Sequence, residues 1–187
     1  AEMNKGDVLD VLGPLGKSFP NVKDASRLIM VAGGIGLAPF YLLARELTKK
    51  QKATLIFGGR SKEDVSIAKP FRSLSSVTLK VTTEDGSSGT KGRVTDVLEK
   101  TLKKDSIIYA CGPLPMLKAV AVMAEECGVR AYVSLESSMA CGIGVCLGCA
   151  VKAKPPVKRP TTEDKKYSMV CSDGPVFDAR TIDWEKI

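Results

Sequence analysis

The chain has 187 residues, 28 Lys plus Arg against 21 Asp plus Glu for a net charge of +7, and no histidine. That length holds one ordinary α/β domain and a small appended module, while the missing imidazole excludes a Rieske centre and any histidine-dependent triad. No apolar run nears the ~18 residues that span a bilayer, and the scattered lysines with only 5% aromatics read as solvated surface that attracts a dinucleotide or an acidic partner, not as a nucleic-acid footprint.

Residues 1–20 look like the last strand and exit loop of an upstream domain, with Gly13-Pro14-Leu15-Gly16 as a linker turn. From residue 21 to 135 apolar, β-branched runs at Leu28–Ala32, Thr54–Phe57, Val77–Thr82, Ile107–Cys111 and Ala131–Leu135 alternate with helical patterns at Pro39–Lys50, Thr95–Lys104 and Leu114–Cys127. Pro70 leaves room for only a short helix in Lys62–Leu74. Strands apolar throughout and separated by helices predict a doubly wound α/β fold on a five-stranded parallel sheet. In such sheets ligands sit at the carboxyl ends of the strands, near the switch point. Residues 136–187 form a small C-terminal module with a Lys/Pro-rich stretch (Lys152–Pro160) and a strand-like Tyr167–Val170. It has too few apolar residues for a core of its own, so a bound metal centre would staple it.

Gly33-Gly-Ile-Gly-Leu-Ala-Pro39 follows the first strand and opens the first helix. Gly33, Gly34 and Gly36 let the backbone approach a pyrophosphate, and Pro39 suits a first helical turn. The string is not the Rossmann fingerprint, because a proline replaces the third glycine; a structural turn is the alternative. Two further loops end strands, Gly58-Gly-Arg60 and Thr83-Glu-Asp85, and offer Arg60 and Asp85 to a dinucleotide or merely connect elements. Arg60 would suit NADP and an acidic neighbour NAD, so the choice stays open. Cys111-Gly112-Pro113 ends the fourth expected strand. Cys111 is either a small buried group or one facing a nicotinamide; Cys127 reads as core.

Cys141, Cys146 and Cys149 stand as Cys-x4-Cys-x2-Cys, and Cys171 follows after 21 residues. This is the plant-type spacing for a 2Fe–2S cluster. Gly142, Gly144 and Gly148 fall between the ligands, where side chains would block the loop from closing on the sulfurs. Structural zinc and disulfides are the alternatives. Disulfides suit small secreted domains, and no apolar signal segment opens this chain, which points to the cytoplasm. No side chain is assigned a catalytic role.

Taken together, Gly33–Pro39, Thr83-Glu-Asp-Gly-Ser, Cys111-Gly-Pro, Ala140–Cys149 and Val170-Cys-Ser-Asp-Gly-Pro-Val-Phe177 resemble the ferredoxin-NADP reductase superfamily. Within it they resemble the electron-transfer subunits of NAD-dependent, B-type dihydroorotate dehydrogenase. The resemblance implies a ferredoxin-reductase-type domain binding NAD(H), with Gly33–Pro39 at the pyrophosphate and Cys111–Pro113 near the nicotinamide. It implies cluster ligation by Cys141, Cys146, Cys149 and Cys171. It further implies electron exchange with FAD and with an FMN-containing catalytic subunit, in a heterotetramer serving pyrimidine biosynthesis. The family's FAD sits mainly on an upstream β-barrel with an Arg-x-Tyr-Ser motif that this sequence lacks, so this polypeptide alone is expected to bind FAD poorly. The small subunit of an NADPH–ferredoxin oxidoreductase or sulfhydrogenase shares the architecture, and a non-enzymatic assembly or sensor module stapled by metal is the reading of another class.

Overall fold

The computed structural model describes residues 3–21, 27–47, 51–154 and 166–187. Its elements run β1 Arg27–Gly33, α1 Ala38–Glu46, β2 Ala53–Gly59, α2 Lys62–Val65, β3 Val77–Thr83, β4 Thr90–Lys91, α3 Val94–Thr101, β5 Ser106–Cys111, α4 Leu114–Glu126, β6 Arg130–Ser134, β7 Ala150–Lys152, β8 Tyr167–Met169 and β9 Val176–Asp178. Short 3-10 turns at Gly34–Leu37, Ser66–Ser73 and Ala179–Thr181 complete the list. The last residues of the helix expected over Pro39–Lys50, and most of the Lys/Pro-rich stretch, lie outside the described residues.

The main sheet has the order β4-β3-β2-β1-β5-β6-β9. Its five central strands are parallel, and β9 runs antiparallel to β6. The doubly wound parallel sheet is therefore present, extended at each edge by a strand too short to show in the sequence. Both faces are covered, as the continuous apolar runs require. On one face Ile29, Val31, Ile56, Ile108 and Val133 pack against α3 and α4 through Val97, Leu98, Leu117 and Val120. On the other, Met30, Leu55, Phe57 and Tyr109 pack against Phe40 and Ala44 of α1 and Phe71 of the 3-10 turn. Each such burial contributes roughly 1.5–3 kcal/mol. Pro70 has the predicted effect on its segment: four residues of α-helix, then eight of 3-10.

The C-terminal module does not stand apart from this core. β9 pairs with β6 in the register Ser134↔Val176, and Leu135 N–H donates to Pro175 O at 2.9 Å. Cys149, Val151, Val170, Cys171, Ile182 and Trp184 belong to the same buried cluster as Ile108 and Val133. The shortage of apolar residues is met by borrowing the larger domain's core. Trp184 is 8% exposed, and its indole N–H donates to Ala179 O at 2.9 Å. The Lys118–Glu185 ion pair beside it, 2.8 Å long, is solvent-exposed and contributes little. Replacing Trp184 by alanine is expected to cost about 3–5 kcal/mol and lower the calorimetric Tm by about 10 °C; a loss under about 1 kcal/mol would mean that the tail merely lies on the domain.

Candidate functional site

The chain winds from β1 outward through β2 and β3, then returns to place β5 on the other side of β1. The switch point therefore lies between the carboxyl ends of β1 and β5, where Ala32 is paired with Cys111. Two glycine turns leave the sheet there and meet backbone to backbone. A Cβ on Gly33 would lie 2.9 Å from Pro113 Cδ and 3.0 Å from Met116 Sδ, and one on Gly36 would overlap the Cys111 carbonyl. Gly112, at φ +153°, would press a Cβ to 2.9 Å from Gly33 N. Gly34 takes a left-handed φ of 54° and faces open space. Pro39 is the second residue of α1, and Pro113 caps α4. The structure thus brings Gly33 and Gly36 against Cys111, Gly112 and Pro113, with Gly34 and Pro39 on the same turn into α1 and α4 starting at Pro113. First-turn amides and dipole ends favour an anion such as a pyrophosphate.

Cys111 is 5% exposed, and burial pushes its thiol's pKa up, with nearby Ser134 opposing and the Glu136 carboxylate adding to the rise. It is a neutral packing group at the switch point, a position compatible with both readings of it. Cys127 corrects the expectation of a core residue: it is exposed. α4 stops at Glu126 and the chain reverses at Gly128, φ 66°, so position 127 leaves the buried stripe of Val120, Ala121 and Ala124.

Arg60 and Asp85 reach the same edge of the sheet, one and two strands beyond β1. Their loops are laced together by Asp85 N–H to Arg60 O and Glu84 N–H to Gly59 O, each 3.2 Å. The Asp85 carboxylate accepts from the Ser87 hydroxyl (2.7 Å) and amide (2.9 Å), which holds its pKa below the usual carboxylate range. Arg60 is largely exposed and lies 3.7 Å from Asp64. Its guanidinium is open to solvent beside that ion pair, whereas Asp85 already orders its own turn. The sequence reading passed over Ser134 and Glu136; counting alternate residues from Val133 and Leu135, both buried on the other face, points to them.

The four clustered cysteines divide by burial. Cys149 and Cys171 are 2% and 4% exposed, Cys141 is half-buried and Cys146 is exposed. Cys141 neighbours the Cys146 thiol and Cys171 the Cys149 thiol, and the charge of Cys141 is felt at Cys171 as well. Among the described residues no three His, Cys, Asp or Glu side chains gather closely enough to hold one metal ion. Two thiolates at each of two irons is the arrangement of a 2Fe–2S core, and the amides fit it as well. Cys171 N–H donates to Cys149 Sγ at 3.4 Å, and this amide lowers the Cys149 pKa. The amides of Cys146 and Ile143 lower the Cys141 pKa from 9.0 to about 6. Cys171 is raised, first by the Cys149 side chain beside it. Such N–H groups favour thiolates and tune a cluster's potential. Gly144, φ 84°, would drive a Cβ to 2.6 Å from Ser172 Oγ, so a glycine is required there. Gly148 corrects the expectation: a Cβ would make an ordinary 3.7 Å contact with Cys146 Sγ. Among the described residues no helix is long and apolar enough to cross a membrane.

Comparison with known proteins agrees with this geometry. Residues 136–183 match the iron-sulfur cluster binding domain of dihydroorotate dehydrogenase B, and residues 30–122 match the oxidoreductase NAD-binding domain. The chain is 41% identical over 184 residues to the dihydroorotate dehydrogenase B (NAD(+)) electron transfer subunit of Caldanaerobacter subterraneus, covering 97% of this chain and 69% of that one. It is 43% identical over 185 residues to the subunit of the same name from Bacillus caldolyticus, with 97% and 68% covered. Among solved structures, a chain of the NADH-dependent reduced ferredoxin-NADP oxidoreductase superposes with a TM-score of 0.75 at 34% identity, over 95% of this chain and 60% of that chain.

Proposed function

Because the chain belongs to the family of electron transfer subunits of NAD(+)-dependent dihydroorotate dehydrogenase B, we propose that it passes electrons between NAD(H) and an FMN-containing catalytic dihydroorotate dehydrogenase subunit in the cytoplasm, for pyrimidine biosynthesis. One observation supports this most: two thiol pairs lie on an arm whose strand β9 continues the sheet that carries the double-glycine ledge. Residues 21–135 are assigned to NAD(H), 136–187 to the cluster, and 1–20 to the exit of a flavin-binding region. Gly33, Gly34 and Gly36 take the pyrophosphate against the backbone, with Pro39 setting the start of α1. Cys111, Gly112 and Pro113 form the floor for the nicotinamide. Arg60 and Asp85 flank the adenosine half. Cys141, Cys146, Cys149 and Cys171 would hold the 2Fe–2S cluster. The cofactors supply hydride acceptance and its division into single electrons by FAD, and one-electron transfer by the 2Fe–2S cluster. The chain's own work is to exclude water from the buried pair and to hold both sites on one rigid sheet.

A second reading, the small subunit of an NADPH–ferredoxin oxidoreductase, is favoured by the 34% identity to the solved oxidoreductase. Mixing the purified chain with the catalytic subunit separates them. Dihydroorotate-dependent reduction of NAD+ supports the first reading, and ferredoxin-dependent reduction of NADP+ alone supports the second.

A further inference from the structure

The carboxylate of Glu136 stands at the end of β6 beside the switch point. The ladder continues one residue past that strand, because Leu135 N–H bonds Pro175 O at 2.9 Å. Extended backbone alternates its faces. Val133 and Leu135 point into the core on the α3/α4 side. Ser134 and Glu136 therefore point to the opposite side, which is the side of Cys111. Ser134 is the register partner of Cys111, so Glu136 projects just beyond Cys111, off the carboxyl edge. Glu136 is exposed, and its charge is felt at the Cys111 sulfur. The other acidic group of this edge strand pair, Asp178, lies opposite Tyr132 at the middle of β6 and is bound to Arg180 at 2.5 Å. An anion at Glu136 is costly for a neutral ring packed on Cys111–Pro113 and favourable for a cationic one.

We infer that Glu136 is a specificity-determining residue that makes the site prefer the oxidised, cationic nicotinamide of NAD+ over the neutral ring of NADH. The inference rests on Cys111–Pro113 being the nicotinamide floor. By holding NAD+ more tightly than NADH, Glu136 lowers the reduction potential of the bound couple and makes bound NADH the stronger donor.

The test uses the cluster- and flavin-loaded enzyme. It compares the calorimetric Kd for NAD+ in the oxidised enzyme with the KM for NADH, for wild type, Glu136→Gln, Glu136→Asp and Glu136→Lys. Glu136→Gln is expected to weaken NAD+ about three- to tenfold while the KM for NADH stays constant or falls, as removal of a charge at a partly screened distance requires. Glu136→Asp should retain most of the preference, and Glu136→Lys should exceed the Gln effect. In wild type the preference should shrink as ionic strength rises. Equal changes for both nucleotides, or none, overturn the inference while leaving the nicotinamide reading intact. Should wild type neither bind NAD+ nor oxidise NADH, that reading falls and the inference with it. Visible absorption of each variant shows whether the cluster is loaded, and the salt titration needs no variant at all.

Discussion

Cys171→Ser is expected to remove the cluster and also to loosen the NAD-binding sheet, whereas Cys146→Ser removes the cluster alone. Cys171 is 4% exposed in the shared core, five residues before β9 begins. Serine there buries a hydroxyl where a sulfur packed, at a cost of about 1–3 kcal/mol. For a chain of this size that lowers Tm by roughly 3–10 °C. It also slackens the segment that delivers Pro175 and Val176 to Leu135 and Ser134, next to the Cys111 turn. Cys146 is exposed on a loop outside the sheet, and surface substitutions usually stay within about 0.5 kcal/mol. Both variants forfeit whatever stability the bound cluster lends, so their difference isolates the shared core. The readouts are visible absorption, iron content, calorimetric Tm and NADH affinity. Equal Tm values and equal NADH affinities would show that the arm and the sheet are independent.

Gly36→Ala is expected to abolish useful nucleotide binding, with an NADH affinity at least about a hundredfold below wild type. The new Cβ would overlap the Cys111 carbonyl and approach Gly112 N to 2.7 Å. The Cys111 backbone cannot retreat, because β5 is paired with β1 from Arg27↔Ser106 to Ala32↔Cys111. The turn must open, at a cost of about 1–3 kcal/mol or more. Gly34→Ala provides the contrast: its Cβ meets nothing within 4 Å, although its φ is 54°. Strain of about 1–2 kcal/mol is expected there, with the ledge still closed. If Gly36→Ala binds NADH as Gly34→Ala does, the contact between the two turns is not what shapes the site.

The central strands were legible because each is a run of apolar, often β-branched residues with a turn at its end. β4 and β9 were not. Thr90–Lys91 is two exposed polar residues, and Val176–Asp178, though it buries Phe177, is only three residues long, so both are too short for any period to register. α3 ends at Thr101 rather than at the expected Lys104, since beyond it only Leu102 still packs on the core. The cysteine spacing was equally legible, but the burial of Cys149 and Cys171, and not of Cys141 and Cys146, depends on a core shared with β9 and Trp184 from far along the chain. The same tertiary pairing hid Glu136. Strand alternation gives the face of Glu136, but its place beside Cys111 comes from the register Cys111↔Ser134. Cys127 shows the converse: the helical period places it in the core, and the helix ends one residue too soon.

The proposed role of this chain is to carry electrons between nicotinamide and the catalytic subunit through a 2Fe–2S cluster. The direct measurement is dihydroorotate-dependent NAD+ reduction by the reconstituted pair, with iron, labile sulfide, zinc and flavin counted in the same sample. About two iron and two sulfide per chain are expected, with a rate that requires both subunits and is lost in Cys146→Ser. Zinc at one equivalent without iron, or an undiminished rate in Cys146→Ser, would contradict it.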